Sequence, residues 1–196
     1  MSMSDVIDHL ACVELGGPVD LLRRARPVAR DNMQQSYLAL FEPATEGDVT
    51  PRERYAIAAF VTGLHREDTV SGFYAAGLAK LDAGLAEAVE AEVEAGGTKG
   101  PYGDFPAGPL SGENAAGLDF KARHRDVLGE RMAAALEHAH MLVFHPRDSS
   151  AAWLQKLLDA GWSTTGIVTQ SQLVAFLAFQ VRVVHGLRTL TLVEGT

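Results

Sequence analysis

Along most of the chain apolar residues recur every three or four positions, the spacing of helices that bury one face. The punctuation between these stretches agrees with that reading. Gly17-Pro18 opens a short amphipathic piece that closes at Arg26-Pro27, with Pro18 at a helix start, where its missing N–H costs nothing. A second helix is predicted over 28–41, stopping before Pro43. Thr50, Pro51 and Glu53 then spell a capping-box start to a helix over 50–64. Asp68 is placed to cap the next helix, which carries Val70, Phe73, Ala76 and Gly77 on one face. The run AGLAEAVEAEVEAGG is a strong helix former that ends at a glycine pair.

The periodicity breaks over about 96–118, where TKGPYGDFPAGPLSGENAAG is too rich in glycine and proline to hold a regular element. A loop of that length in a compact domain serves as a lid, a binding loop or a connector. Helical patterning resumes near Phe120 and runs to Pro146. Ser149 or Ser150 caps AAWLQKLLDAG, which Gly161 closes, and Ser163 or Thr164 opens a last helix predicted to end near Gly186. That helix has apolar residues on more than one face, among them Leu173, Val174, Phe176, Phe179 and Val183. A helix apolar all round is buried on all sides, by its own chain or in part by a second subunit. The only β-branched stretch of note is VRVVHGLRTLTLV. The expected fold is all-α: one domain over 1–196, with a helical extension over about 1–45 and the glycine-proline loop over about 96–118.

Composition narrows the function classes. A net charge of −8 with no basic stripe repels phosphate backbones, so nucleic acid is not an expected partner. The longest unbroken apolar run, 173–179, is too short to cross a bilayer, so no membrane association is expected. The first residues show no basic segment ahead of an apolar one, and a single cysteine, Cys12, forms no internal disulfide; both fit a cytoplasmic protein. Cys12 is expected to be a small buried hydrophobe. His138, His140 and His145 cluster in sequence but lack the i, i+3 or i+4 pairing and the further ligands of a helical metal site. No metal is therefore expected, and His145 is assigned to packing or to the negative end of its helix. No glycine-rich phosphate loop follows a strand, and no cofactor is expected.

The segment TPRERYAIAAFVTGLHREDTVSGFY resembles the signature helix pair of the AhpD-like (carboxymuconolactone decarboxylase) superfamily. LLDAGWSTTGIVTQSQLVAFLAFQVRVVHGL resembles that superfamily's closing helices, with an arginine, Arg182, near the end. The opening stretch through FEP resembles a subgroup of longer proteins of the same superfamily, so the likeness covers most of the chain. The resemblance implies an AhpD-like helical bundle, a small-molecule ligand and a homo-oligomer, whether dimer, trimer or hexamer. In gapless register the family's proton-relay glutamate falls at Tyr55, its two cysteines at Glu67 and Val70, and its histidine at Tyr74. A thiol peroxidase needs an activated thiolate and a resolving thiol, and no cysteine lies between His65 and Tyr74. What can remain is acid–base chemistry by Glu67, His65, Tyr74 and Tyr55, in a pocket between the 50–64 and 68–78 helices lidded by the loop around 102–105. The competing reading makes HRED a solvated turn. Three functions follow: a non-thiol acid–base enzyme, a non-enzymatic ligand- or partner-binding homologue, and peroxide reduction through Cys12 or a thiol from another chain.

Overall fold

The computed structural model describes residues 5–194. Among these residues the chain forms nine α-helices and no strand: α1 (Val6–Leu10), α2 (Pro18–Arg24), α3 (Pro27–Phe41), α4 (Pro51–Leu64), α5 (Asp68–Leu81), α6 (Ala83–Gly96), α7 (Arg125–Phe144), α8 (Ala151–Asp159) and α9 (Thr164–Glu194). The all-α expectation holds.

The centre of the bundle is α4, which packs against α5, α6, α7 and α9. Ala56, Ile57, Ala58, Phe60 and Val61 are all fully enclosed. The alanines keep neighbouring helices close, while Ile57 and Phe60 each contribute about 1.5–3 kcal/mol by leaving water. The helix starts with the capping box its sequence announces: Glu53 N–H donates to Thr50 Oγ1 (3.2 Å) and Thr50 N–H to Glu53 Oε2 (2.9 Å). Buried Arg54 then satisfies the incoming connection, donating to the carbonyls of Leu40 (2.6 Å), Val49 (2.9 Å) and Glu46 (3.1 Å). That clamp sets the end of α3 beside the start of α4.

The N-terminal extension is held by charge as well as by packing. Arg23, itself buried, donates to Asp5 (2.9 Å) and to Asp8, and Arg30 also pairs with Asp8. These pairs tie α1, α2 and α3 together. A buried pair of this kind is costly to break, because the remaining partner becomes an uncompensated charge.

Several sequence expectations are corrected. The short helix α1 had no predicted counterpart; five residues are too few for a periodic signal. The cap of α5 is Glu67, whose carboxylate accepts from Val70 N–H (2.7 Å), and Asp68 is the first helical residue instead. Helix α7 starts at Arg125 rather than near Phe120, and its backbone is broken at Gly129 (φ 68°, ψ 164°). Gly186 does not end the last helix, which continues to Glu194. A helix tolerates a glycine at about 1 kcal/mol, and here Val184 and Leu187 on either side pack into the core.

Nor is α9 buried all round. Leu173, Leu177, Gln180 and Val184 face inward, whereas Val168, Phe179 and Leu190 are 55%, 43% and 43% exposed. These three recur every eleven residues, about three turns, so they share one outer face. Over Thr164–Thr191 the helix is long and apolar enough to cross a membrane, but half of that window is buried against the other helices, as in a core helix. Cys12 is exposed, not buried: past the end of α1 the chain takes a left-handed turn there (φ 53°) that points it outward.

Candidate functional site

Two of the four sequence candidates are brought together. The rings of Tyr55 on α4 and Tyr74 on α5 lie 6.1 Å apart, within an aromatic cluster completed by Tyr37, Phe41 and Phe73. Tyr37 comes from α3, delivered by the Arg54 clamp, and stacks on Phe41 with ring centres 5.2 Å apart. Tyr74 is fully buried, and its hydroxyl donates to Gln180 Oε1 on α9 (2.7 Å). Gln180 is also fully buried and its Nε2 has no partner among the described residues. The cluster depends on Gly77: a Cβ there would lie 2.3 Å from the Tyr55 ring, so only glycine lets α5 approach it.

Burial pushes the Tyr74 phenol well above its ordinary range, and burial beside Tyr55 and Glu42 does the same to Tyr37. Both stay protonated at neutral pH and serve as hydrogen-bond donors. Tyr37 and Tyr55 line a cavity of about 460 Å³ together with Glu42, Phe73, Lys80 and Leu81. A carboxylate and an ammonium group thus share a cavity with two phenols.

The other two candidates stay at the α4–α5 turn. Glu67 spends an oxygen on the cap of α5. His65 ends α4 half-buried, its Nε2 enclosed without a partner among the described residues, and burial with Arg182 nearby lowers its pKa. Neither bonds to Tyr55 or Tyr74 among the described residues. Arg66 and Asp68 from the same turn line a separate groove between α4, α5 and α6.

The glycine-proline loop does not cover this region, which corrects the expected lid. It is pinned to the foot of α7 instead. Tyr102 N–H donates to Phe144 O (3.0 Å), Gly103 and Ala115 form an isolated bridge, and Tyr102 Oη donates to Leu118 O (2.8 Å). Buried Glu92 on α6 holds the far end of the loop, accepting from the N–H groups of Arg123 and His124 at 2.7 Å each. The loop borders a second, open cavity of about 510 Å³, lined by Tyr102, His145, Asp148 and Trp153 among others.

His145, nine-tenths buried and stacked on Tyr102 at 4.7 Å, is bonded through Nδ1 to Asp148 Oδ2 (2.9 Å). Asp148 Oδ1 accepts Asp104 N–H (2.8 Å). Despite burial, that bond and His145 hold the Asp148 carboxyl below its usual range. Gly103 has φ 104°, and a Cβ there would sit 2.4 Å from Asp148 Oδ2, so the loop closes onto the carboxylate only through glycine. Sequence reading gave His145 a packing or helix-end role and missed Asp148. The available signal was HPRD, a helix-ending His-Pro followed by an aspartate at i+3. The neighbouring His138 and His140 are 1% exposed, and burial pushes each down to about 4. Among the described residues no three His, Cys, Asp or Glu side chains gather as a metal site requires.

The fold and these two cavities define the class: an all-α bundle with no thiol beside either cavity. No protein-family model matches the chain, and no curated protein or solved structure matches it either.

Proposed function

We propose that the protein is a divergent relative of the AhpD-like superfamily, working as a cytoplasmic homo-oligomer, in which acid–base chemistry on a small organic molecule replaces thiol redox chemistry. The observation that carries this reading is the cavity shared by Tyr37, Tyr55, Glu42 and Lys80. It opens at the position where the resemblance puts the family's relay glutamate. Neutral phenols donate to an oxygen on which charge develops, as in an enolate or a lactone-opening intermediate. Glu42 is the group there that takes or returns a proton, and Lys80 is the cation that holds a substrate carboxylate. Tyr74 packs beside Tyr55 behind this cavity, while Glu67 and His65 stay at the α4–α5 turn. Peroxide reduction loses support because Cys12 is exposed beyond α1 and stands apart from both cavities.

The test is turnover or deuterium exchange with a panel of small β-keto acids and lactones. Tyr55→Phe and Glu42→Gln are each expected to lower the rate by about 10² or more while leaving the helical circular dichroism unchanged. Full activity in both variants refutes the site. Hydroperoxide consumption with a dithiol is expected to stay at the uncatalysed rate in wild type and in Cys12→Ala alike.

A second reading, a non-enzymatic binding homologue, is favoured by one observation: Glu67 and Tyr74 both have structural partners. Saturable binding without turnover selects it. Either way the outer stripe of α9 supports self-association. Phe179→Glu is expected to shift the sedimentation coefficient towards that of a monomer.

A further inference from the structure

Helices α4, α5 and α6 pack on one another but leave an open groove of about 860 Å³ between them. Ala59 and Gly63 on α4 lie at its bottom, and its walls carry Ala75 and Ala79 on α5 and Ala83 and Ala86 on α6. With nothing larger than a methyl group at these positions, a helix laid in the groove brings its own large side chains close to α4. The α6 side of the groove is acidic. Glu87 and Glu90 stand exposed there one turn apart, with no ion pair among the described residues. Every charged residue of α6 is a glutamate. Arg66 and Asp68, from the α4–α5 turn, offset each other in charge.

The outer face of α9 is the opposite in both shape and charge. Val168, Phe179 and Leu190 project from it as large apolar side chains. Arg182, one turn after Phe179, is exposed; it donates to Ala178 O (2.6 Å) and makes no ion pair among the described residues. In a chain of net charge −8, this helix carries no carboxylate before Glu194. One face thus offers large side chains and an unpaired cation, and the other offers small residues and unpaired carboxylates.

We propose that the outer face of α9 in one copy docks in the α4–α5–α6 groove of a second copy, with Phe179 seated against the groove alanines and Arg182 facing Glu87 and Glu90. This rests on the homo-oligomeric reading above and supplies the surface that α9 meets. Every copy brings both faces, so a second copy meets the shape and the charge of each. Two α9 faces packed on each other would instead bring like charges together and leave the groove carboxylates unmet. Because the two patches differ, the contact is either reciprocated across a two-fold axis or repeated head to tail around a ring.

The experiment is sedimentation velocity of the full chain over a range of concentrations. Phe179→Glu on α9 and Ala79→Glu in the groove, both at exposed positions, are each expected to raise the half-dissociation concentration by about a hundredfold. Arg182→Glu and Glu90→Arg are each expected to raise it by about tenfold, and combining the two in one chain should recover most of that loss. Mixing discriminates further. Phe179→Glu keeps an intact groove and Ala79→Glu an intact α9, so an equimolar mixture should form a 1:1 dimer although each variant alone is monomeric. That recovery also shows both variants to be folded. A mixture that stays monomeric overturns the proposal. So does Ala79→Glu assembling like wild type while Phe179→Glu does not, an outcome in which α9 pairs with itself and the homo-oligomeric reading survives. A wild type that is monomeric at every concentration overturns both.

Discussion

Four regular helices deliver Tyr37, Tyr55, Tyr74 and Gln180 to one cluster, where the Tyr74 hydroxyl bonds to Gln180 inside the bundle. At the foot of α7 a helix end and a loop deliver His145 and Asp148, bonded to each other, to the lining of a cavity. Regular packing brings side chains together in register, so polar groups find partners inside the bundle. An irregular segment satisfies its own backbone first, and here the Asp148 carboxylate is part of that satisfaction. The two regions therefore differ in what they offer a ligand: phenols beside Glu42 and Lys80 in the first, three aspartates beside an imidazole in the second.

They also fail at opposite ends of the pH scale, which gives the largest expected effect. His138 and His140 have folded pKa values pushed down to about 4 from an ordinary 6.5. Between those values the unfolded chain binds more protons than the folded one, so stability is complete above pH 6.5 and is lost as pH falls towards 4. The loss is on the order of 3 kcal/mol per histidine. Urea melts from pH 7.5 to 4.5 are expected to show it, with hydrogen exchange rising first in α7 and the 97–124 loop. The His138 ring has no hydrogen-bond partner among the described residues, so His138→Leu should flatten the slope by about half. Tyr37 and Tyr74 act in the mirror sense: their pKa values are raised, so stability falls as pH rises above 10. Tyr37→Phe should move that alkaline transition upward. A protein equally stable at pH 7.5 and 4.5 would remove the electrostatic half of the contrast.

Gly77 and Gly103 test the packing half. Each admits a functional side chain that a Cβ would displace, Tyr55 in one case and Asp148 in the other. At Gly77 an added Cβ would sit 2.3 Å from the Tyr55 ring, which would have to shift towards the cavity it lines, so Gly77→Ala is expected to cost about 1–3 kcal/mol by overpacking. Gly103→Ala adds a strained positive φ, costing about 1–2 kcal/mol, but an exposed loop relaxes more readily. The sharper readout there is the His145 resonance, which should lose its Asp148 bond. Equal stability losses with an unmoved His145 would mean that the loop is as rigid as the helix pair.

What the sequence disclosed follows the same divide. The capping box at Thr50 and Glu53, the helix over 50–64 and the tyrosine pair at 55 and 74 are written in local spacing, which a helix reproduces in space. Tyr37 joins them only through Arg54, whose three carbonyl acceptors no periodicity announces. The outer face of α9 was misread because an apolar side chain does not state whether anything covers it. Asp148 was missed for a related reason: its partners Asp104 and Gly103 lie 44 and 45 residues away, across a segment without a pattern.

Glu67 separates the two accounts of the α4–α5 turn, with the smallest expected effect. As a cap it accepts Val70 N–H, one of the donors that a helix start leaves unpaired. Glu67→Ala should then cost about 1 kcal/mol of stability, the usual loss for a removed cap. Glu67→Gln keeps a side-chain oxygen for the same bond and should leave stability within about 0.5 kcal/mol of wild type. A proton-transferring carboxylate behaves differently, because glutamine can cap but cannot take a proton. If Glu67→Gln abolishes turnover while the melting temperature holds, the carboxylate belongs to the chemistry and the tyrosine cavity is only part of the site. If both variants track stability alone, the turn is structural, and catalysis rests on the cavity of Tyr37, Tyr55, Glu42 and Lys80.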